Sequence, residues 1–289
     1  MSETHEHDPM DLPREHIEGL GDPWAVLLAN PAELMPQVVG TVLSAGGTRP
    51  AWQAKYRDQE YVLMAWPQEK PIRAAVVMRG EEGGKLTPAT ATPLLEGTPN
   101  DMTIEDLHPW SNGVEAHVAA CRNEDAHPLW FYTPCYFRDR EALMTPGVRH
   151  TFLLAGLAYG VRKALLDDMT ITDGPHFEAW AEKWLEENPD TTRLDVPPLK
   201  LSLRGARVLL PSPQYTVYQL RAPILSMEET ELSGEKVYIL HLAFGLETPQ
   251  PLELPIYAPA RACKRYTPQE GDEIDAIVWL QGRLLDWDE

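Results

Sequence analysis

The sequence predicts a mainly β protein with one or two helices, built as two OB-like antiparallel β-barrel modules that arose by internal duplication. Three observations predict it. Short β-branched and aromatic runs, bounded by Gly, Pro and polar clusters, recur along the chain. Only one long segment carries a clear helical apolar stripe. Two stretches, residues 92–159 and 222–284, repeat the same order of blocks. The alternative arrangement is a single α+β domain with one large bent sheet.

In chain order, residues 1–34 read as an acidic arm followed by a short helix from Trp24 to Leu34, interrupted near Pro31. Residues 35–170 read as the first β module. Its strands are expected at Val38–Leu43, Ala51–Arg57, Gln59–Trp66 and Ile72–Arg79, then at GVEAHVAACR, PLWFYTP and HTFLLAGLAYGV. Residues 81–112, rich in Gly, Thr and Pro, read as loop around a brief strand. CYFRDREAL reads as one helical turn.

Residues 171–198 read as an amphipathic helix and a Pro-rich linker. Phe177, Trp180, Ala181, Trp184 and Leu185 fall on one helical face, Pro175 suits the first turn, and Asn188-Pro189 ends the helix. Residues 199–289 read as the second OB-like module. Strands are expected at Leu199–Leu203, Arg207–Leu210, Tyr215–Leu220, Lys236–Phe244, Leu252–Tyr257 and Glu273–Leu284.

The repeat rests on block order. TPLLEG, GVEAHVAA, PLWFYTP and LMTPGVRHTFLLAGL stand beside APILSM, GEKVYILHLAF, PLELPIYAP and RYTPQEGDEIDAIVWLQG. Each block reads as strand, hairpin, strand, bridging segment, turn and closing strand. That order suits a small closed barrel, and closure leaves a short unit without exposed edges.

The closing run GDEIDAIVWLQG (residues 271–282), together with YTPCYFRDRE and a downstream TPG, resembles patterns in a family of uncharacterised bacterial proteins with OB-like β modules. The resemblance covers residues 113–289. It implies a bacterial cytoplasmic protein and no particular activity.

Composition bounds the function. The chain has 289 residues, 43% hydrophobic, enough for a sizeable core. No run reaches the roughly 18–20 apolar residues of a membrane span, and the acidic N-terminal segment is not a secretory leader. No membrane partner is expected. Cys121, Cys135 and Cys263 form no CxxC pair, which points to reduced thiols in a cytoplasm.

The net charge is −19, with the excess at the two ends. Residues 1–35 hold eight acids and one base, and residues 222–289 hold 13 acids and five bases. Such a chain repels nucleic acid and suits a protein partner, above all a basic one.

Few constellations carry chemistry. His5, His7 and Asp8 form an HxHD run whose side chains are metal-ligand types, but no metal is expected to be held by so short a tail segment. Cys135 lies near Arg138 and Arg140, the setting for a thiolate nucleophile of an unclassified hydrolase. Arg138 and Arg140 also suit a carboxylate or phosphate, or an ion pair stapling the bridging segment to the barrel. Trp279, Gln281 and Arg283 share one face of the closing strand, with Tyr257 and Tyr238 expected nearby.

On an OB-like face, aromatics and Arg form a stacking platform for single-stranded nucleic acid or oligosaccharide. That reading needs a positive groove from Arg283, Arg261, Lys264 and Arg265. No common nucleotide, metalloprotease or hydrolase motif is present, so no cofactor is expected. The leading expectation is a non-enzymatic binding protein acting through protein–protein contacts.

Overall fold

The computed structural model describes residues 18–19, 23–45, 52–56, 59–80, 85–123, 127–246 and 250–285. The chain is mainly β, in one ten-stranded mixed sheet, a four-stranded antiparallel sheet and a two-stranded ribbon. The acidic arm and the His5–His7–Asp8 run lie outside the described residues, apart from Glu18 and Gly19.

Two helices open the described chain: α1 (Pro23–Leu27) and α2 (Pro31–Ala45). The strand expected at Val38–Leu43 is therefore the second half of α2. Its β-branched residues misled, but Leu34, Val38 and Val42 recur every four residues and pack on the core. Pro31 begins the helix rather than breaking one, since a missing N–H costs nothing at a first turn.

β1 (Trp52–Tyr56), β2 (Gln59–Trp66), β3 (Ile72–Gly80) and β4 (Leu86–Leu95) form the four-stranded sheet in that order. β4 begins the segment 81–112, where loop around a brief strand was expected. Its prolines are tolerated because it is an edge strand of this sheet, where a missing N–H leaves no neighbour unsatisfied. β5 (Thr98–Pro109) follows, so the segment holds two long strands where one brief strand was expected.

β6 (Ala116–Cys121) and β7 (Leu129–Thr133) follow, then α3 (Tyr136–Leu143) and the long β8 (Arg149–Lys163). An excursion holds β9 (Asp168–Ile171), α4 (Pro175–Glu187), a 3-10 turn at Arg193–Asp195 and β10 (Leu199–Ser202), which pairs with β9. The amphipathic helix lies where its stripe and caps placed it. β11 (Val208–Pro211), β12 (Val217–Pro223), β13 (Ser226–Leu232), β14 (Glu235–Phe244), β15 (Leu252–Pro259), α5 (Ala260–Cys263) and β16 (Glu273–Leu284) complete the chain. The described residues thus hold five α-helices where one or two were expected. β13 escaped notice because its sequence, SMEETEL, is charged; it is a sheet edge, where charge guards against unwanted pairing.

The ten strands run β11-β12-β16-β7-β6-β5-β8-β15-β14-β13, and β16 also pairs with β8. Strands of both expected modules therefore share one sheet. β8 and β16 run antiparallel from Phe152–Leu284 to Lys163–Ile274, with a bulge at Ile277 and Val278. The path from β16 through β7, β6, β5 and β8 returns to β16.

The largest apolar cluster draws on both halves, including Phe131, Leu154, Leu240, Ile256, Val278 and Leu280. A second cluster lies between this sheet and β3 with α1 and α2, and buries Leu157, Tyr257 and Trp279 against Ile72 and Val76.

Two glycines make the central pair possible. A Cβ on Gly156 of β8 would sit 2.6 Å from Ile256 Cδ1. A Cβ on Gly282 of β16 would sit 2.5 Å from Phe131 Cδ2. Each glycine admits a large side chain from the neighbouring parallel strand. Gly282→Ala is expected to lower stability by about 1–3 kcal/mol through overpacking. Urea titration checks this: the midpoint should fall with the slope unchanged.

Candidate functional site

The residues singled out on β16 point inward. Trp279 is 2% exposed and stacks at a tilt on Tyr132, with ring centroids 5.1 Å apart. Gln281 is 3% exposed and acts as a rung between sheets. Its Nε2 donates to Pro93 O at 2.7 Å, and its Oε1 accepts from Leu95 N–H at 2.8 Å. Arg283 is also buried, at 5%. Tyr257 is buried, and its hydroxyl donates to Glu96 O at 2.9 Å.

The shared face that the strand period predicts is therefore real, but β4 and its neighbours cover it. A platform for stacking bases is not exposed here. The positive groove is not assembled either. Arg261 pairs with Glu235 at 2.8 Å and donates to Leu28 O, and Arg283 is inside, while Lys264 and Arg265 are exposed. Tyr238 lies in the main core, with Lys236 Nζ 4.8 Å from its ring centroid.

The bridging segment is stapled down. Arg138 chelates Asp139 through Nε and NH2 and reaches Leu284 O at 3.4 Å. Arg140 donates to Gly113 O at 3.0 Å and lies 4.9 Å from the Tyr136 ring centroid. Cys135 precedes α3, fully buried in an apolar cluster with Leu63, Val77, Leu94 and Phe137. The Cys135 residue is 0% exposed, so its thiol does not reach the surface of the structure.

Two features were not anticipated. The first is a buried carboxylate. Glu115, 1% exposed, accepts hydrogen bonds from Tyr132 Oη, Asn112 Nδ2 and Thr90 Oγ1, the last at 3.0 Å. Burial pushes its carboxyl above the usual carboxylate range, against the opposing pull of these three donors. Asn112 cannot turn its amide round, because its Oδ1 accepts from Val114 N and Glu115 N. The network ties β4 to β7 and to the segment that leads into β6. One GVEAHVAA residue out of phase with its apolar neighbours was the available signal.

The second feature is exposed apolar surface. Among the described residues, seven of the 14 exposed large hydrophobics lie between residues 165 and 210, so this region stands apart. Leu194 is 96% exposed, Leu165 75% and Leu166 62%. Met169 and Leu201 face each other across the β9–β10 ribbon. Leu210 of β11, Gln219 of β12 and Ile277 of β16 stand in register, with Leu210 and Ile277 about half exposed.

α4 does not cover this surface; it is tied to its own trailing loop. Trp180 Nε1 donates to Pro197 O at 3.1 Å, and Arg193 lies 5.4 Å from the Phe177 ring centroid. The base of the excursion is fixed by polar bonds. Ala164 N donates to Glu273 O, Gly205 N to Glu273 Oε1, and Arg221 NH1 to Leu166 O, each at 2.8 Å. Arg221 is itself held by Asp275 at 2.7 Å. The excursion is a platform with a fixed base, and its rim is acidic: residues 171–198 hold seven acids and two bases. Leucines flanked by charge in ALLDD and TRLDV were the sequence signal.

Among the described residues, no group of three His, Cys, Asp or Glu side chains is placed to hold a metal ion, and no helix is long and apolar enough to cross a membrane. Comparison with family models and with curated proteins finds no match to this chain.

Two variants check these assignments. Gln281→Ala strands Leu95 N–H in the interior and leaves Pro93 O with Thr92 Oγ1 at 3.1 Å, and it should cost about 1–3 kcal/mol in chemical denaturation. Glu115→Gln tests the carboxyl. With the folded pKa raised, wild type loses stability as pH rises from the ordinary value of 4.5 to the raised one. The stability of wild type relative to the Gln variant should therefore decline across that window and then level off, as read from urea midpoints.

Proposed function

We propose that this protein is a non-enzymatic binding protein that engages a protein partner through the apolar, acid-rimmed surface of residues 164–210. The observation that carries the reading is the concentration of exposed leucines on that anchored excursion. Large exposed apolar surface on a soluble chain is a mark of interaction, because its burial against a partner is favourable in water. The acidic rim selects the partner: an apolar face bordered by Lys and Arg. The inward orientation of Trp279, Gln281 and Tyr257 directs attention away from the β16 face and toward this one.

We also infer an OB-like duplicated core. The pairing of β5 with β8 has its counterpart in β12 with β16. The parallel contact of β7 with β16 has its counterpart in β15 with β8. α3 and α5 occupy the same place between strands, and Gly156 and Gly282 play the same part. On this reading two five-stranded barrels share the β8–β16 wall, with β12 and β13 together matching the bent β5. The resemblance to uncharacterised bacterial proteins carrying OB-like modules accords with this view and assigns no chemistry.

The test is a comparison of wild type with Leu165→Glu/Leu166→Glu/Leu194→Glu in quantitative co-purification. All three side chains are exposed, so the melting temperature should be unchanged. Specific recovery of basic-faced partner proteins should fall at least about tenfold. Identical recovery by both proteins would count against the proposal.

A further inference from the structure

The open end of the main core holds a pocket of about 160 Å³. Its wall is apolar: Met102 of β5, Ala120 of β6, Leu129 of β7 and Leu252 of β15, with the Tyr218 ring of β12. β11 lies across it through Leu209 and Pro211, held there by Arg207, which donates to Ala243 O at 2.7 Å. This volume is close to that of an apolar cavity that accepts benzene, about 150 Å³.

The mouth is cationic. Arg122 and His127 line it, and Arg149 approaches from the start of β8, donating to Arg122 O at 3.5 Å and to Gln250 Oε1 at 3.4 Å. Neither guanidinium forms an ion pair with a described residue. Burial, and then the neighbouring Arg149 charge, depress the Arg122 pKa. In a chain of net charge −19, two neighbouring guanidiniums that form no ion pair among the described residues are a local reversal of charge. Arg122 is half-buried and Arg149 exposed, so an anion that reaches the mouth from solvent meets both charges.

We propose that this pocket binds a small monocarboxylate with an apolar body the size of a phenyl ring or a short alkyl chain. The body fills the space beneath β11, and the carboxylate meets Arg122 and Arg149 at the mouth, where guanidinium geometry suits it. An inorganic anion satisfies the charges but leaves the apolar wall wet; a neutral hydrocarbon does the reverse. Only an amphipathic acid satisfies both.

Titration calorimetry and amide chemical shifts test this with phenylacetate and hexanoate, using benzyl alcohol and inorganic phosphate as comparators. The two acids should bind saturably and shift the Trp130 amide, which donates to the Tyr218 hydroxyl at 2.7 Å. Arg122→Met should weaken the acids at least about tenfold, equivalent to about 1.4 kcal/mol. It should leave weak benzyl alcohol binding unchanged. The same variant should melt no lower than wild type, because it removes a like-charge contact. Leu209→Trp, which fills the pocket from the edge strand, should abolish binding of the acids. No saturable binding of either acid would overturn the proposal. So would displacement of phenylacetate by equimolar phosphate, or undiminished binding by Arg122→Met.

Discussion

The antiparallel pairing of β8 with β16 is the contact on which the rest of this structure depends. The two strands are the longest of the ten that share the sheet, apart from β5, which equals β16 in length. Besides each other, they pair with four further strands: β8 with β5 and β15, β16 with β12 and β7. Their side chains serve two interiors at once. Phe152, Leu154, Val278 and Leu280 face the main core, while Ala155, Leu157 and Trp279 face the N-terminal sheet and helices. A pair buried on both faces cannot slip in register without exposing one apolar set and burying the wrong one. The glycines at 156 and 282 let flanking parallel strands close on it.

The second constraint is how the smaller sheet docks. The free edge of β4 carries backbone groups that require partners once buried, and the Gln281 amide supplies an acceptor and a donor at the spacing of a missing strand. Tyr257 does the same for Glu96 O, and Glu115 gathers Thr90 of β4 to Tyr132 of β7. Polar side chains thus join two sheets that hydrophobic packing alone would leave free to slide. This is why residues with the chemistry of a binding face are found in the interior.

Much of the fold was legible because periodicity is local. The β16 alternation, the α4 stripe with Pro175 and Asn188, and the strands at Gln59–Trp66 and Lys236–Phe244 were all readable from spacing. α2 was misread because Val38, Val39 and Val42 favour strands in isolation, and packing against β3 overrode that preference. The length of β4 was underread because Thr and Pro punctuate it, and its edge position explains the prolines. The period of β16 identified two faces but not what covers each, since the strand that buries Gln281 lies 186 residues earlier in the chain. Exposed leucines leave no periodic trace at all, and the mouth of the Arg122 pocket is assembled from strands distant in sequence.

The sharing of β16 fixes an order of assembly. Phe131 and the Gly282 that admits it are separated by 151 positions. β7 therefore waits for its outer neighbour until nearly the whole described chain is in place. Loop closure on that scale is slow, and the waiting edge is open to wrong partners in the meantime. The excursion between β8 and β11 suits that circumstance, because Trp180, Phe177 and Arg193 find their contacts within 17 residues. It can compact early and alone, shortening the effective path between the two long strands before they meet.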